Sequence, residues 1–427
     1  MKLIHSFLCL LALLISPAFL HAAQVQYVVQ VSLDGLGAKY LENYLSNAPA
    51  QFPNFVRLVQ LSASTMNARC DFDISETIPN HTTIFTGRPV LQPTNQANTV
   101  HHGYNNNFPG ATDTVHAQGN PYVPYKSSFF DIAHDYGLST ALYSGKARLL
   151  MLDRSYDAVN GAADLVDADN GKDKIDYASV GDVSGTSISN EVNSLIANLS
   201  SATPYRYSFI HIAEPDITGH SAGWGSANWS NAVRNVDTQL GRIIDVITTN
   251  SVLSNATALI VSADHGGGGV TANAHTEAYH IKNYTIPFFL WAPKVPANSD
   301  VYALFANRGN PGTNRLDYNA VPQPLRNADG SNLALGLLGL PPIPGSSTLP
   351  ILGGTNVQMN VARALDGAYT AWWPATASAF VLETSPAFAA SAEWAEITNG
   401  IINNGGMFVY SFTNSPTDAK FYRLRKR

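Results

Sequence analysis

The 427-residue chain is 45% hydrophobic, enough for a large core, which rules out a disordered protein and argues for one big domain plus something smaller. Only 13% of its residues are charged and the net charge is -6, so there is no broad basic footprint and no duplex nucleic acid is expected as a partner. An anionic ligand would have to be held by a local device.

The chain begins with Lys2, an apolar run from Phe7 to Leu20 and a small-residue exit at "HAAQ", the pattern of an export signal over 1–22. The apolar stretch is short for a spanning helix, so no transmembrane segment is expected after its removal, and the product is expected in the periplasm, secreted or at the cell surface. Cys9 leaves with the signal, so Cys70 stands alone and no internal disulfide is possible.

"YVVQVSL" (27–33) is a β-branched apolar strand ending at Asp34-Gly35, and "AKYLENYL" and "FPNFVRLVQL" follow as helices. "SETIPNHTTIFTG" (75–87) is rich in hydroxyls yet carries the apolar positions of a packed segment. A further strand precedes Lys146 in "ALYSGKARLL", where the lysine reads as a solvated residue or as a contact for an anionic substrate. "YSFIHI" (207–212) is a buried strand ending at "AEPD", and 229–249 is an amphipathic helix with Val233, Val236, Leu240, Ile243, Ile244 and Ile247 on one face. "ATALIVSA" (256–263) is a third buried strand, ending at Asp264-His265 and a glycine run. "YTIPFFLW" (284–291) and a helix over "SNLALGLLGL" complete the unit. Continuous apolar strands alternating with helices predict an α/β fold with a mostly parallel sheet covered on both faces.

The composition changes after "PPIPGSSTLPILGG" (341–354). Short strands in "SAFVLETS", "EWAEIT", "GMFVYSFT" and "KFYRLRKR" predict a small all-β, sandwich-like accessory domain over 355–427, behind a catalytic domain over 23–350. The tail holds no cluster of Asp, Glu or His, and its partners are not legible.

Asp34, Asp216 and Asp264 each follow a buried strand closely, and the carboxyl ends of strands line the ligand crevice of an open α/β sheet. Carboxylates crowded there repel one another unless cations lie between them. Asp216 and His220 are four residues apart and can reach one ion, and His265 adjoins Asp264. Asp and neutral His suit Zn²⁺. Taken singly, an Asp-Gly pair is an ordinary turn and an acidic loop an ordinary surface.

Together and in order, "VSLDGLG", "SETIPNHTTIFTG", "HIAEPDITGH", "SADHGGGG" and "HTEAYHIKNYTIPFFLW" resemble the alkaline phosphatase superfamily, in its nucleotide pyrophosphatase/phosphodiesterase (type I phosphodiesterase) branch. The resemblance spans roughly 27 to 345. It implies an alkaline phosphatase-like fold and two Zn²⁺ ions per chain, one on Asp34, Thr77, Asp264 and His265, the other on Asp216, His220 and a later histidine. That histidine is His275 or His280, with His275 preferred because it lies nearer the glycine-rich turn. Thr77, ahead of Ile-Pro-Asn-His, is implied as the nucleophile that forms a phospho-Thr intermediate. Asn107, or failing that Asn106, in "HHGYNNN" is implied as a donor to a phosphoryl oxygen.

The chain departs from the branch where a nucleotide base would stack, with Ile78 and His211 in place of aromatic residues. Tyr104 or Trp224 could substitute, and a phosphodiester of another alcohol or a phosphomonoester stays open. Cys70 in "CDFDI" lacks the sulfatase context, and Ser75 lies two residues from the nucleophile's place. A non-catalytic surface protein with a vestigial metal site is the reading from outside enzymology.

Overall fold

Eight strands make the main sheet of the computed structural model: β1 (Tyr27–Leu33), β2 (Ala63–Arg69), β3 (Thr140–Ser144), β4 (Tyr177–Val180), β5 (Tyr207–Ile212), β6 (Thr257–Ser262), β7 (Thr285–Trp291) and β8 (Ser299–Asp300). The described residues are 25–166, 170–181, 189–305, 307–348, 359–363, 368–374, 380–386, 393–404, 407–413 and 420–426; the expected export signal lies outside them.

The strand order is β4-β3-β5-β1-β6-β7-β2-β8. From β4 to β6 all neighbours are parallel, and β7 runs antiparallel to both β6 and β2. Strands β1, β5 and β6 are buried along their whole length, which is why they read as unbroken apolar runs. The expected fold class is therefore the observed one, with β7 breaking the parallel pattern.

The helix Ala227–Thr249 realises the predicted amphipathic stripe. Its Val233, Val236, Leu240, Ile243, Ile244 and Ile247 are all essentially inaccessible to solvent. Each contributes about 1.5–3 kcal/mol of transfer free energy, enough to fix the helix against the sheet. None of the described helices is long and apolar enough to cross a membrane.

The helix Thr77–Thr86 is buried at all ten positions, with polar side chains at six of them. Its hydroxyls are satisfied locally: Thr82, Thr83 and Thr86 donate to the carbonyls of Ile78, Pro79 and Thr82 at 2.9, 3.1 and 2.7 Å. Asn80 accepts from Asp71 N–H and donates to the carbonyls of Ile74 and Glu76. A hydroxyl-rich segment can thus be packed without a desolvation penalty for bare polar atoms. Gly87 ends the helix with φ 64°, the left-handed cap glycine adopts most readily.

Towards the C-terminus lie β9 (Asn360–Arg363), β10 (Ala368–Pro374), β11 (Phe380–Ser385), β12 (Ala395–Glu396), β13 (Ile401–Asn404), β14 (Met407–Thr413) and β15 (Phe421–Lys426). They form two antiparallel sheets, ordered β13-β14-β10-β9 and β12-β11-β15. Trp373 and Leu382 are buried between them, and Tyr422 of one sheet meets Tyr410 and Phe412 of the other. Strands β9, β10 and β13 were not expected from the sequence.

Candidate metal centre and catalytic site

Three parallel strands deliver the acidic residues to one edge. Asp34 follows β1, Asp216 lies in the first turn of the helix Glu214–Ala222 after β5, and Asp264-His265 follow β6. The loops come unusually close together: at Gly35, with φ +70°, a Cβ would lie 3.0 Å from the Cα and Cβ of Asp216. Gly35 N–H donates to Asp264 Oδ1 at 3.1 Å, which ties the first and third strand ends together.

Two ligand groupings result. His265 Nε2 lies 3.5 Å from Asp34 Oδ1 and 3.4 Å from Asp264 Oδ2. Asp216 Oδ1 lies 3.5 Å from both His220 Nε2 and His275 Nε2, and the two histidine nitrogens are 3.1 Å apart. Asp34 Oδ1, Asp216 Oδ1, Asp264 Oδ2 and His265 Nε2 are buried and accept or donate no hydrogen bond among the described residues. Four bare polar atoms at one place is a costly arrangement in a folded protein, and the donor set of Asp and His is the kind that divalent cations satisfy. The residues therefore fit divalent metal: Asp34, Asp264 and His265 form one group, and Asp216 and His275 form a second that His265 also reaches, with His220, 48% exposed, at its edge.

The electrostatics agree. Burial, and next the Asp34 charge, push the Asp264 carboxyl well above the usual range. Burial also raises Asp34, but Lys146 and His211 outweigh it and hold that carboxyl well below the usual range. Burial lowers His265, and it lowers His275 to about 3, so both imidazoles are neutral, the form that binds metal.

His275 is 2% exposed, whereas His280 caps the short helix Ile281–Tyr284 by accepting from Lys282 N–H. The structure thus brings His275, and not His280, to Asp216. Thr77 opens its helix, with Lys146 Nζ 3.5 Å from its Oγ1. Asn107 Oδ1 accepts from Ile78 N–H at 3.0 Å, which sets Asn107 beside Thr77, and its NH2 group has no partner among the described residues. Asn106 closes its own turn with Phe108 and is exposed. The Ser75 hydroxyl donates to the backbone carbonyl of His275, a structural role.

Lys146 is not a solvated lysine. It is buried, 2.6 Å from Asp34 Oδ2 and 2.5 Å from Asp216 Oδ2. Burial alone would lower its pKa, but the two carboxylates outweigh it and hold the ammonium charged. Neither substitute stacking residue offers an open ring: Tyr104 is buried with its hydroxyl on Asp113, and Trp224 packs against His220 and His275. His211 is fully buried under Asp34 and offers no open face. Arg148, which sequence reasoning passed over, donates to the Asn107 carbonyl at 3.3 Å and lies over the exposed ring of Phe108. The Lys-x-Arg spacing after a strand is the signal that could have found it.

A family model described as type I phosphodiesterase / nucleotide pyrophosphatase matches residues 28–92 and 131–328. The chain belongs to this family. The two matched blocks contain Asp34, Thr77, Lys146, Asp216, His220, Asp264, His265 and His275, while Asn107 falls between them. Mouse ectonucleotide pyrophosphatase/phosphodiesterase family member 3 is 27% identical over 246 residues, covering 56% of this chain and 24% of that protein. The chain therefore spans about a quarter of that relative's length. Among solved structures, murine ectonucleotide pyrophosphatase / phosphodiesterase 5 superposes with a TM-score of 0.48 at 15% identity, over 77% of this chain and 98% of the other. An alkaline phosphatase superfamily protein from Vibrio parahaemolyticus gives 0.47 at 15% identity, over 82% and 75%.

Proposed function

We propose that this chain is an exported hydrolase of small phosphate esters, phosphodiesters first, with Thr77 as nucleophile and two Zn²⁺ ions held by Asp34, Thr77, Asp264 and His265 and by Asp216, His220 and His275. The observation that carries the reading is the convergence of four bare, buried ligand atoms beside a threonine at a helix N-terminus. When bound, the ions supply Lewis acidity and charge neutralisation at the reacting phosphate.

The chain's own residues do the rest. Thr77 Oγ, its proton released to solvent, attacks phosphorus; the bond to the leaving alcohol oxygen breaks and that oxygen takes a proton from solvent; water later cleaves the phospho-Thr ester, restoring the hydroxyl and releasing the phosphate. Lys146 Nζ, 3.5 Å from Thr77 Oγ1, favours the alkoxide form of the hydroxyl. The Asn107 NH2 group donates to a non-bridging phosphoryl oxygen. The helix Thr77–Thr86 points its positive end at the anion, and its buried faces keep the nucleophile from moving.

A nucleotide substrate is disfavoured although the mouse relative's name refers to nucleotides. Ile78 and His211 are both fully buried, so neither place that holds an aromatic in the nucleotide-cleaving resemblance provides a stacking face here. A second reading, phosphomonoester hydrolysis, is favoured by Arg148, whose guanidinium lies against Asn107 and suits the extra charge of a dianion. The same reading divides the chain into a signal over 1–22, a catalytic domain over 23–350 and a β-rich accessory domain over 355–427.

The test is Thr77→Ala assayed on bis-p-nitrophenyl phosphate and p-nitrophenyl phosphate in zinc-replete buffer, with zinc content measured in parallel. Loss of turnover with zinc largely retained is expected, because six other side chains hold the ions. Turnover near wild type removes Thr77 from its role. A wild-type chain with less than one zinc and no hydrolysis of either ester makes the non-catalytic reading the favourite. The ratio of kcat/KM for the two esters ranks diester against monoester.

A further inference from the structure

Beneath the carboxylates lies a row of polar residues for which an apolar sheet has no packing use. In the register of the parallel strands, His211 of β5 stands beside Ser32 of β1 and Ser144 of β3. The strand around it, "YSFIHI", is otherwise suited to a buried core, and His211 is completely inaccessible to solvent. A buried imidazole is tolerated only with both nitrogens engaged, and here they are. Nε2 is 2.9 Å from Asp34 Oδ2, and Nδ1 is 3.0 Å from Ser144 Oγ. The Ser144 hydroxyl in turn accepts from Lys146 N–H at 3.1 Å.

The hydrogen-bond network assigns the tautomer. An ionised Asp34 can only accept, so His211 carries its proton on Nε2, which leaves Nδ1 as an acceptor facing the Ser144 hydroxyl, whose single proton is shared between Nδ1 at 3.0 Å and the Lys146 carbonyl at 3.2 Å. Asp34 Oδ2 then takes two donors, His211 and Lys146, while Oδ1 is left bare and 3.5 Å from His265 Nε2. The terminal torsion of an aspartate is broad and two-fold, so an unsupported carboxylate can exchange its oxygens. Lys146 alone does not prevent this, because an ammonium on a flexible stem is a point charge with little directional preference. A planar ring clamped from the far side by Ser144 does have a direction.

We propose that His211, set by Ser144, is a positioning residue that commits Asp34 to metal through Oδ1 alone and thereby governs affinity at the Asp34–Asp264–His265 half of the centre. The inference rests on the two-metal reading given above. It assigns His211 neither to substrate nor to metal, and it distinguishes the two half-sites, since no imidazole holds Asp216 Oδ2 among the described residues.

The experiment is a zinc titration of the full chain against a chromophoric chelator. The variants are H211F, H211Q, S144A, D34N and the double H211F/D34N. The wild type is expected to take two ions. H211F should keep one at wild-type affinity and bind the other about 10–100-fold more weakly, the usual effect of losing a partner behind a ligand. H211Q, with an amide N–H in place of the ring N–H, should recover part of the loss. H211F should add nothing in the D34N background, because its effect passes through Asp34. S144A should weaken the same ion by a smaller factor, and it stands in if H211F does not fold. Unchanged affinities in H211F or, failing that variant, in S144A overturn the proposal, as does additivity of H211F with D34N. A wild-type chain that binds no zinc removes the two-metal reading and this inference with it, whereas two wild-type ions with an unaltered H211F remove this inference alone.

Discussion

Lys146→Met keeps most of the stem's volume and deletes the charge that sits between Asp34 and Asp216. The ammonium is 2.6 and 2.5 Å from their Oδ2 atoms, and the three side chains are 8%, 0% and 3% exposed. Removing one partner of a buried ion pair strands the other charge, at about 3–5 kcal/mol. Here one cation serves two carboxylates, so the upper end, about 5 kcal/mol, is expected for metal-free protein. The sign with pH follows from Asp34. Its folded pKa is depressed, burial raising it and Lys146 then more than reversing this, so its contribution is full above the unfolded value and is lost as pH falls through the folded one. The deficit of K146M should therefore be largest at neutral pH and begin to shrink already above the unfolded value of about 4, because without Lys146 burial raises the Asp34 carboxyl and its protonation removes the stranded charge. Urea unfolding in EDTA at pH 7 measures it, and K146M/D216N should be less destabilised than K146M because one stranded charge has gone. A deficit under about 1 kcal/mol at pH 7 would show that water or rearrangement neutralises the carboxylates, and the burial argument would fail.

Two further outcomes are expected. Gly87→Ala places a Cβ 2.0 Å from Ser346 Oγ at φ +64°, so beyond the left-handed penalty of about 1–2 kcal/mol it must displace a serine bonded to Gly87 O and Asn332. Thermal unfolding should show the loss, and Ser346→Gly in that background should return the steric part only. His116, which burial lowers to about 4, donates from Nε2 to Ser155 O and accepts from Lys126 N–H at Nδ1. Its folded pKa lies below the unfolded 6.5, so its contribution is full above pH 6.5 and is lost as pH falls towards 4. His116→Leu should flatten the pH dependence of the urea midpoint in that window, and an unchanged slope would sink the assignment.

The parts of the fold that were legible are those whose environment is uniform. Strands β1, β5 and β6 are buried on both faces, so their residues are apolar without interruption, and each announces its end with an aspartate. The helix Thr77–Thr86 could be read only through its resemblance, because a segment buried all round whose hydroxyls bond to its own backbone has no polar face to give a period. Strand β2, "ASTMNAR", is half polar and half buried, and its pairing with β7 lies more than two hundred residues away. The roles of Lys146 and His211 were illegible for the same reason: each is defined by Asp34, 112 and 177 residues distant, and nothing local marks the meeting.

The reversal of β7 has a geometric outcome for the edge where the acidic residues gather. Because β6 and β7 are antiparallel neighbours, with Ser262 opposite Phe288, the chain between them is the arch of a wide hairpin that leaves and re-enters the sheet on one side. That arch, 263–284, carries Asp264, His265 and His275 and never has to travel to the opposite edge, as the crossovers linking parallel strands do. Its crest, 270–273, is exposed, yet the Asn273 carbonyl there accepts from His220 Nδ1 at 3.1 Å and the Ala272 carbonyl from Trp224 N–H at 2.8 Å, so residues added or removed at the crest would move those supports while the strand register stayed as it is. The arch is thus a place where the setting of His220 can be retuned by length while the sheet stays untouched.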